Sequence, residues 1–238
     1  MENRFQQFED IINEIMIVYK HDNRPWLIGY SGGKDSTLLV SVVYEAVRRL
    51  KPEERTKKIY VVTSDTMVEN PIVGRYMHKS SEAINKNSQS ENLNIQSCII
   101  YPEVEKTFWS LVIGLGYPTP EPPGFRWCTE RLKILPMNKF VLEKIKENGE
   151  VVILLGVRKD ESLARNRSIT SREIMGKILV PHSDIENAYV YNPLTKVKNE
   201  LVWEYLLKDN AKSPWGTDMK YLFQLYQGED MGEEQSVI

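Results

Sequence analysis

The sequence predicts an α/β fold, a Rossmann-like parallel sheet flanked by helices. Two observations carry that prediction. Short runs of consecutive apolar, β-branched residues alternate with longer stretches of helical periodicity, the pattern of strands covered on both faces by crossover helices. A glycine-rich turn in "GYSGGKDS" (residues 29–36) separates the first such run from the helical stretch after it, which is where parallel sheets hold their ligands.

The elements follow in order. Phe5, Phe8, Ile11, Ile12, Ile15 and Met16 fall at helical spacing within residues 5–19. Residues 26–30 read as a short buried strand and 36–50 as a helix. "KIYVVTSDT" (58–66) is a second strand, 70–86 a helix, and 95–101 a third strand. "YPTPEPPGF" (117–125) carries four prolines and a glycine, which excludes regular structure there. Residues 132–148 return to helix, closed by Gly149, and "EVVILLGV" (150–157) is the most strand-like run. Connections in such a sheet are right-handed and ligands lie beyond the strand C-termini, so functional loops are expected after Tyr30, Thr63 and Leu155. No internal repeat is visible. One domain is expected over residues 1–210. Residues 211–238 are expected to begin a partly helical C-terminal extension, whose acidic end "GEDMGEEQSVI" reads as cut short.

Bulk properties exclude several classes. A chain of 238 residues with 41% hydrophobic and 27% charged residues is an ordinary globular composition. The net charge of -2 gives no global sign of a nucleic-acid partner, so any basic surface must be local. No apolar run approaches the roughly 20 residues of a membrane helix, and the polar N-terminus is not a secretory signal. Two cysteines, Cys98 and Cys128, make no disulfide framework, and a reducing cytoplasm is expected. His21, His78 and His182 lack metal-ligand spacing, so no zinc site is expected.

The glycine turn is not a Walker A loop. Only three residues separate Gly29 from Gly33, and Asp35 follows Lys34 where a magnesium-binding hydroxyl should stand. The dinucleotide fingerprint fails too. What remains is S-G-G-K-D-S, Ser31 to Ser36. Gly32 and Gly33 let backbone amides turn toward an anion, Lys34 adds charge, and Ser31 and Ser36 add hydroxyls at a helix N-terminus. Asp65, at a strand C-terminus, is read either as a Mg²⁺ ligand on ATP oxygens or as a helix cap or turn. Glu69 reads as a helix-start charge. Between Gly156 and Lys177, six bases (Arg158, Lys159, Arg165, Arg167, Arg172, Lys177) face three acids. That stretch clamps phosphate or forms a solvated charged face, and Arg158, directly after a buried strand, is the member least suited to the surface.

The S-G-G-K-D-S turn resembles the pyrophosphatase loop of the adenine-nucleotide α-hydrolase superfamily, whose members split ATP between the α and β phosphates. Three further segments narrow the resemblance to the phosphoadenylyl-sulfate reductase branch. They are "DTMVENP" (65–71), "LGVRKDESLARNR" (155–167) and "YNPLTKVKNELVWEYL" (191–206). The resemblance implies ATP and Mg²⁺ as cofactors. It implies Lys34, Asp35, Asp65 and Arg158 as catalytic residues, and Ser31, Gly32, Gly33, Lys34, Asp35, Ser36, Thr63, Gly156 and Arg165 as nucleotide-binding ones.

Reductases of that branch use a nucleophilic cysteine near the C-terminus, and this sequence has none after Cys128. "GFRWCTERLKILPMNKF" (124–140) and "KSPWGTD" (212–218) resemble instead segments of DNA phosphorothioation proteins of the DndC type. That resemblance implies activation of a DNA backbone phosphate for sulfur insertion. It also implies other DNA sulfur-modification proteins as partners and a cysteine desulfurase as sulfur donor. Cys128 would be one ligand of a 4Fe–4S cluster whose other three ligands this sequence lacks. Read alone, Cys128 has a second reading as a small buried hydrophobe. Trp127 either shields that site, stacks on a base, or packs in the core, while Cys98 reads as core and Trp109, Trp203 and Trp215 as structural. Sulfate adenylylation, or another reductase-like chemistry, and a non-catalytic nucleotide-binding subunit stay open beside the leading reading.

Overall fold

The computed structural model describes residues 2–120, 127–161, 170 and 177–227. The glycine turn joins strand β1 (Trp26–Gly29) to helix α2 (Lys34–Arg49), behind an N-terminal helix α1 (Glu2–His21). β2 (Ile59–Ser64), α3 (Pro71–Ser90), β3 (Ile95–Ile100), α4 (Leu135–Asn148) and β4 (Val151–Leu154) follow. Beyond these lie β5 (Val180–Pro181), β6 (Ala188–Tyr191), α5 (Asn199–Leu206) and α6 (Met219–Gln227). The expected α/β architecture is present. No helix among the described residues is long and apolar enough to cross a membrane.

The six strands run in the order β3-β2-β1-β4-β6-β5. β1 is parallel to β2 and to β4, in registers Ile28↔Val61 and Ile28↔Leu154. β2 pairs with β3, and β4 with β6, also in parallel, whereas the edge strand β5 is antiparallel to β6. The sheet is thus mostly parallel, as expected, with its antiparallel pair at one edge. β5 has two residues, one of them Pro181, whose missing N–H suits an edge and leaves no periodic signal. The chain steps outward from β1 to β3 and then returns to the other side of β1. The strand order therefore reverses between β1 and β4, and the crevice at their C-terminal ends is where such sheets bind ligands.

Sequence explains the helices locally. In α1, Phe8, Ile12, Ile15 and Tyr19 make one buried stripe, while Phe5 lies at its exposed end. α3 starts at Pro71, with Asn70 Oδ1 accepting the Ile72 N–H at 2.9 Å, and α4 stops at Gly149, whose φ is +85°. Two cores result. One packs α1, α2 and α3 on the sheet, and Ala211, Trp215, Met219 and Leu222 from the last part of the described chain join it. The other lies beneath α4 around Leu27, Val62, Val141 and Val151. The strand-like run 150–157 pairs only as far as Leu154, because the chain then leaves the sheet to bring Gly156 against α2.

Candidate functional site

The Ser31–Gly33 turn caps β1 at the point where strand order reverses. Gly32 adopts φ +71°, a conformation costly for any residue with a Cβ. Gly33 is the extended N-cap of α2 and offers no side-chain cap, so the helix's first amides depend on other partners. Ser36 stitches the turn together. Its hydroxyl accepts the Ser31 N–H (3.3 Å), lies 3.2 Å from Ser31 Oγ and donates to the Gly33 carbonyl (2.9 Å). Beneath the turn stand the phenols of Tyr30 and Tyr76, both pushed up in pKa by burial and therefore neutral.

Gly156 packs against the first turn of α2. A Cβ there would stand 2.8 Å from the Asp35 carbonyl oxygen and 3.3 Å from Ser36 N. Two residues on, Arg158 is 1% exposed, and its Nε donates to Asp35 Oδ1 at 2.7 Å. Its other nitrogens reach the Val197 carbonyl (3.3 Å) and Asn199 Oδ1 (3.1 Å). The sequence-predicted residues Ser31 to Ser36, Gly156 and Arg158 thus meet around one helix end, with Arg158 and Asp35 turned toward each other. Lys34 meets Tyr226 of α6. The Lys34 N–H donates to Tyr226 Oη at 3.0 Å, and Lys34 Nζ lies 5.5 Å from the ring centroid.

A cavity of about 370 Å³ opens beside the turn. Leu27, Val62 and Ile153 of the sheet and Met137 and Val141 of α4 wall it, Ser31 stands at its edge, and His182 also lines it. His182 Nδ1 accepts the N–H groups of Asp184 and Ile185, both at 3.1 Å. The ring's proton therefore sits on Nε2, at its other edge. Ser64 lines the cavity too, but Thr63 does not. It is fully buried, and its hydroxyl has no hydrogen-bond partner among the described residues.

Asp65 extends beyond β2 and lines a separate polar cleft of about 500 Å³ with Arg75, His78 and Lys79. Its Oδ1 accepts the Met67 N–H (2.8 Å), which helps hold Met67 at φ +63°, and its Oδ2 lies 2.9 Å from His78 Nε2. Glu69 borders both cleft and cavity and is held by Lys133 at 2.8 Å. Cys128 is half-buried in a helical turn, Trp127–Thr129. Trp127 is core, stacked on Phe108 at 5.6 Å and donating Nε1–H to the Pro118 carbonyl (2.9 Å). Trp215 is buried, whereas Trp109 is 59% exposed and packs edge-to-face on Phe108 at 5.1 Å. Burial pushes the half-buried Cys98 thiol up, away from reactivity. Arg165, Arg167 and Arg172 lie outside the described residues.

Two implied metal groups can be tested against these side chains. Among the described residues no set of three or more His, Cys, Asp or Glu side chains could hold a metal ion. The chain's two cysteines cannot supply the four thiolates of a 4Fe–4S cluster. Asp65 Oδ1 accepts the Met67 N–H and its Oδ2 lies beside His78, and among the described residues no further His, Cys, Asp or Glu completes a set of three around it. Sequence reading missed Tyr226 and His182. Tyr226 reaches the turn across 192 residues, and no local pattern marks either side chain.

Residues 25–214 match the family model of the phosphoadenosine phosphosulfate reductase domain. The chain belongs to that family. An uncharacterized protein from Methanocaldococcus jannaschii is 28% identical over 200 residues, covering 84% of this chain and 35% of that one. The chain thus spans about a third of the length of that curated relative. Among solved structures, phosphoadenylyl-sulfate reductase from Candida auris superposes with a TM-score of 0.52 at 13% identity, covering 90% of this chain and 84% of that one. The U34-tRNA thiolase NcsA from Methanococcus maripaludis, solved with its [4Fe-4S] cluster, gives 0.52 at 13% identity, with 98% and 76% covered. NAD+ synthetase from Burkholderia pseudomallei gives 0.51 at 13%, with 97% and 86% covered. At these identities the likeness is one of fold alone.

Proposed function

We propose that this member of the family is an ATP pyrophosphatase that adenylates a DNA backbone phosphate, preparing it for sulfur insertion in DNA phosphorothioate modification. The observation that carries the nucleotide part is the placement of the Ser31–Gly33 turn at the β1/β4 reversal, with an apolar cavity running from it. The turn and Lys34 suit the pyrophosphate end of MgATP, and the cavity walls of Leu27, Val62 and Ile153 suit its base. The outer N–H of His182 is a donor available to that ligand.

The chemistry assigns plain tasks to these groups. A phosphodiester oxygen is a poor leaving group, and adenylation turns it into part of a mixed anhydride that sulfur can displace. The attacking phosphate oxygen is already anionic, so no general base is needed. Attack on the α-phosphate forms the new P–O bond and breaks the α–β bridge, and the electron pair leaves with pyrophosphate. Lys34 and the amides of the turn stabilise that developing charge. The DNA part is supported by the segment 124–140, whose described portion lines the cavity through Lys133, Ile134 and Met137. The proposed setting is cytoplasmic, with other DNA sulfur-modification proteins and a cysteine desulfurase as partners. No step is assigned to an iron–sulfur cluster, because the cysteines present do not fit one.

Product analysis tests the proposal. MgATP should yield AMP and pyrophosphate, and added DNA, not sulfate, should stimulate the release. Lys34→Ala should slow that release by about 10²–10³-fold. ADP and orthophosphate as products would refute the pyrophosphatase assignment. Stimulation by sulfate alone would move the acceptor from DNA to sulfate, and binding without turnover would make the chain a nucleotide-binding subunit.

A further inference from the structure

We propose that Tyr226 is a latch on the phosphate turn, one that an incoming anion has to displace. The inference rests on the reading of the turn as a pyrophosphate site. A phosphate at the start of α2 would meet Lys34 through two groups, its backbone N–H and its ammonium. Tyr226 stands on both. Its hydroxyl accepts the N–H at 3.0 Å, and its ring lies under the ammonium at 5.5 Å. The hydroxyl also covers Gly33, where a Cβ would come within 2.9 Å of it. A side chain at position 33 would therefore have to push the phenol aside.

The mounting of Tyr226 suits a part that moves. α6 is anchored by Met219 and Leu222, which are 0% and 2% exposed, whereas Tyr226, one turn further on, is 45% exposed. Its ring meets that of Trp203 in an edge-on arrangement, centroids 5.2 Å apart. A change of side-chain rotamer therefore uncovers Lys34 without unfolding the helix. Tyr226 also lies beyond residues 25–214, so the latch is carried by a segment outside the family domain. By this arrangement the turn's affinity for phosphate is set from α6, because the apparent dissociation constant rises with the fraction of molecules latched.

The test is calorimetric titration of inorganic pyrophosphate, and separately of MgATP, into the 238-residue chain and its Tyr226→Phe and Tyr226→Ala variants. Phenylalanine keeps the ring and removes the hydroxyl. It should tighten pyrophosphate binding by about fivefold, the worth of one neutral hydrogen bond. Alanine, which also releases the ammonium, should tighten it at least as much. If the parent binds pyrophosphate and Tyr226→Phe binds it equally or more weakly, the latch is refuted while the reading of the turn stands. Weaker binding would make the hydroxyl a ligand contact. If neither pyrophosphate nor MgATP binds the parent or either variant, the reading of the turn fails and the latch with it.

Discussion

Arg158 Nε lies 2.7 Å from Asp35 Oδ1, and this bond ties the loop after β4 to the first turn of α2. The guanidinium is almost wholly buried, whereas the carboxylate keeps about a quarter of its surface (1% and 23% exposed). Their charges are spent on each other, and the pair ties the start of α2, just after the Ser31–Gly33 turn, to the loop beyond β4.

Arg158→Ala should therefore act first on stability. It strips partners from Asp35, the Val197 carbonyl and Asn199 at once, a loss of roughly 3 kcal/mol for a broken buried pair. The denaturation midpoint in urea measures it. Asp35→Asn keeps an acceptor for Nε and should cost less. Parent-like stability in Arg158→Ala, with pyrophosphate release abolished, would give the arginine to chemistry instead.

Gly156→Ala is expected to destabilise by about 1–3 kcal/mol, because the added methyl meets the Asp35 backbone, which cannot swing aside as a side chain would. Pyrophosphate binding should weaken with it. Gly29→Ala is the control: its Cβ meets nothing within 4 Å, so the midpoint should hold or rise slightly.

His182→Asn separates two duties of one ring. The asparagine oxygen can still accept from Asp184 and Ile185, but the outward N–H is gone. MgATP affinity should fall by about fivefold while thermal stability stays near the parent value. An unchanged dissociation constant would remove His182 from the nucleotide site.

Acid stability should depend on Asp22, far from the turn. Burial works against its ionisation, but hydrogen bonds from Arg24 and Lys57 outweigh it, so its carboxyl sits below the usual range. A carboxyl lowered on folding stabilises above its unfolded pKa, and that contribution is lost as pH falls through the folded value. The parent's melting temperature should drop below about pH 4. Protonation there leaves Lys57, 3% exposed, without its anionic partner. Asp22→Asn should melt lower at pH 7 and show a flatter acid limb.

The sheet was legible because buried parallel strands write continuous apolar runs and their crossover helices write a 3.6-residue period. The same double burial hid which face of β2 meets the cavity. Val61, Val62 and Thr63 are all buried, so alternation gives no clue that Val62 and Ser64 line it and Thr63 does not. β5 has two residues, too few for periodicity to register. Arg158 stood out in the sequence because a charge directly after a buried strand has to be accounted for. Its partner Asp35 lies 123 residues away, and no spacing rule links them.

Ser36 binds the turn to itself through Ser31 N and the Gly33 carbonyl, so the loop takes its shape when the protein folds. On the proposed reading, an arriving anion would then have little backbone freedom left to freeze. Replacing Ser36 by alanine would shift that ordering cost from folding to recognition, appearing as a less favourable binding entropy with the site's charges untouched.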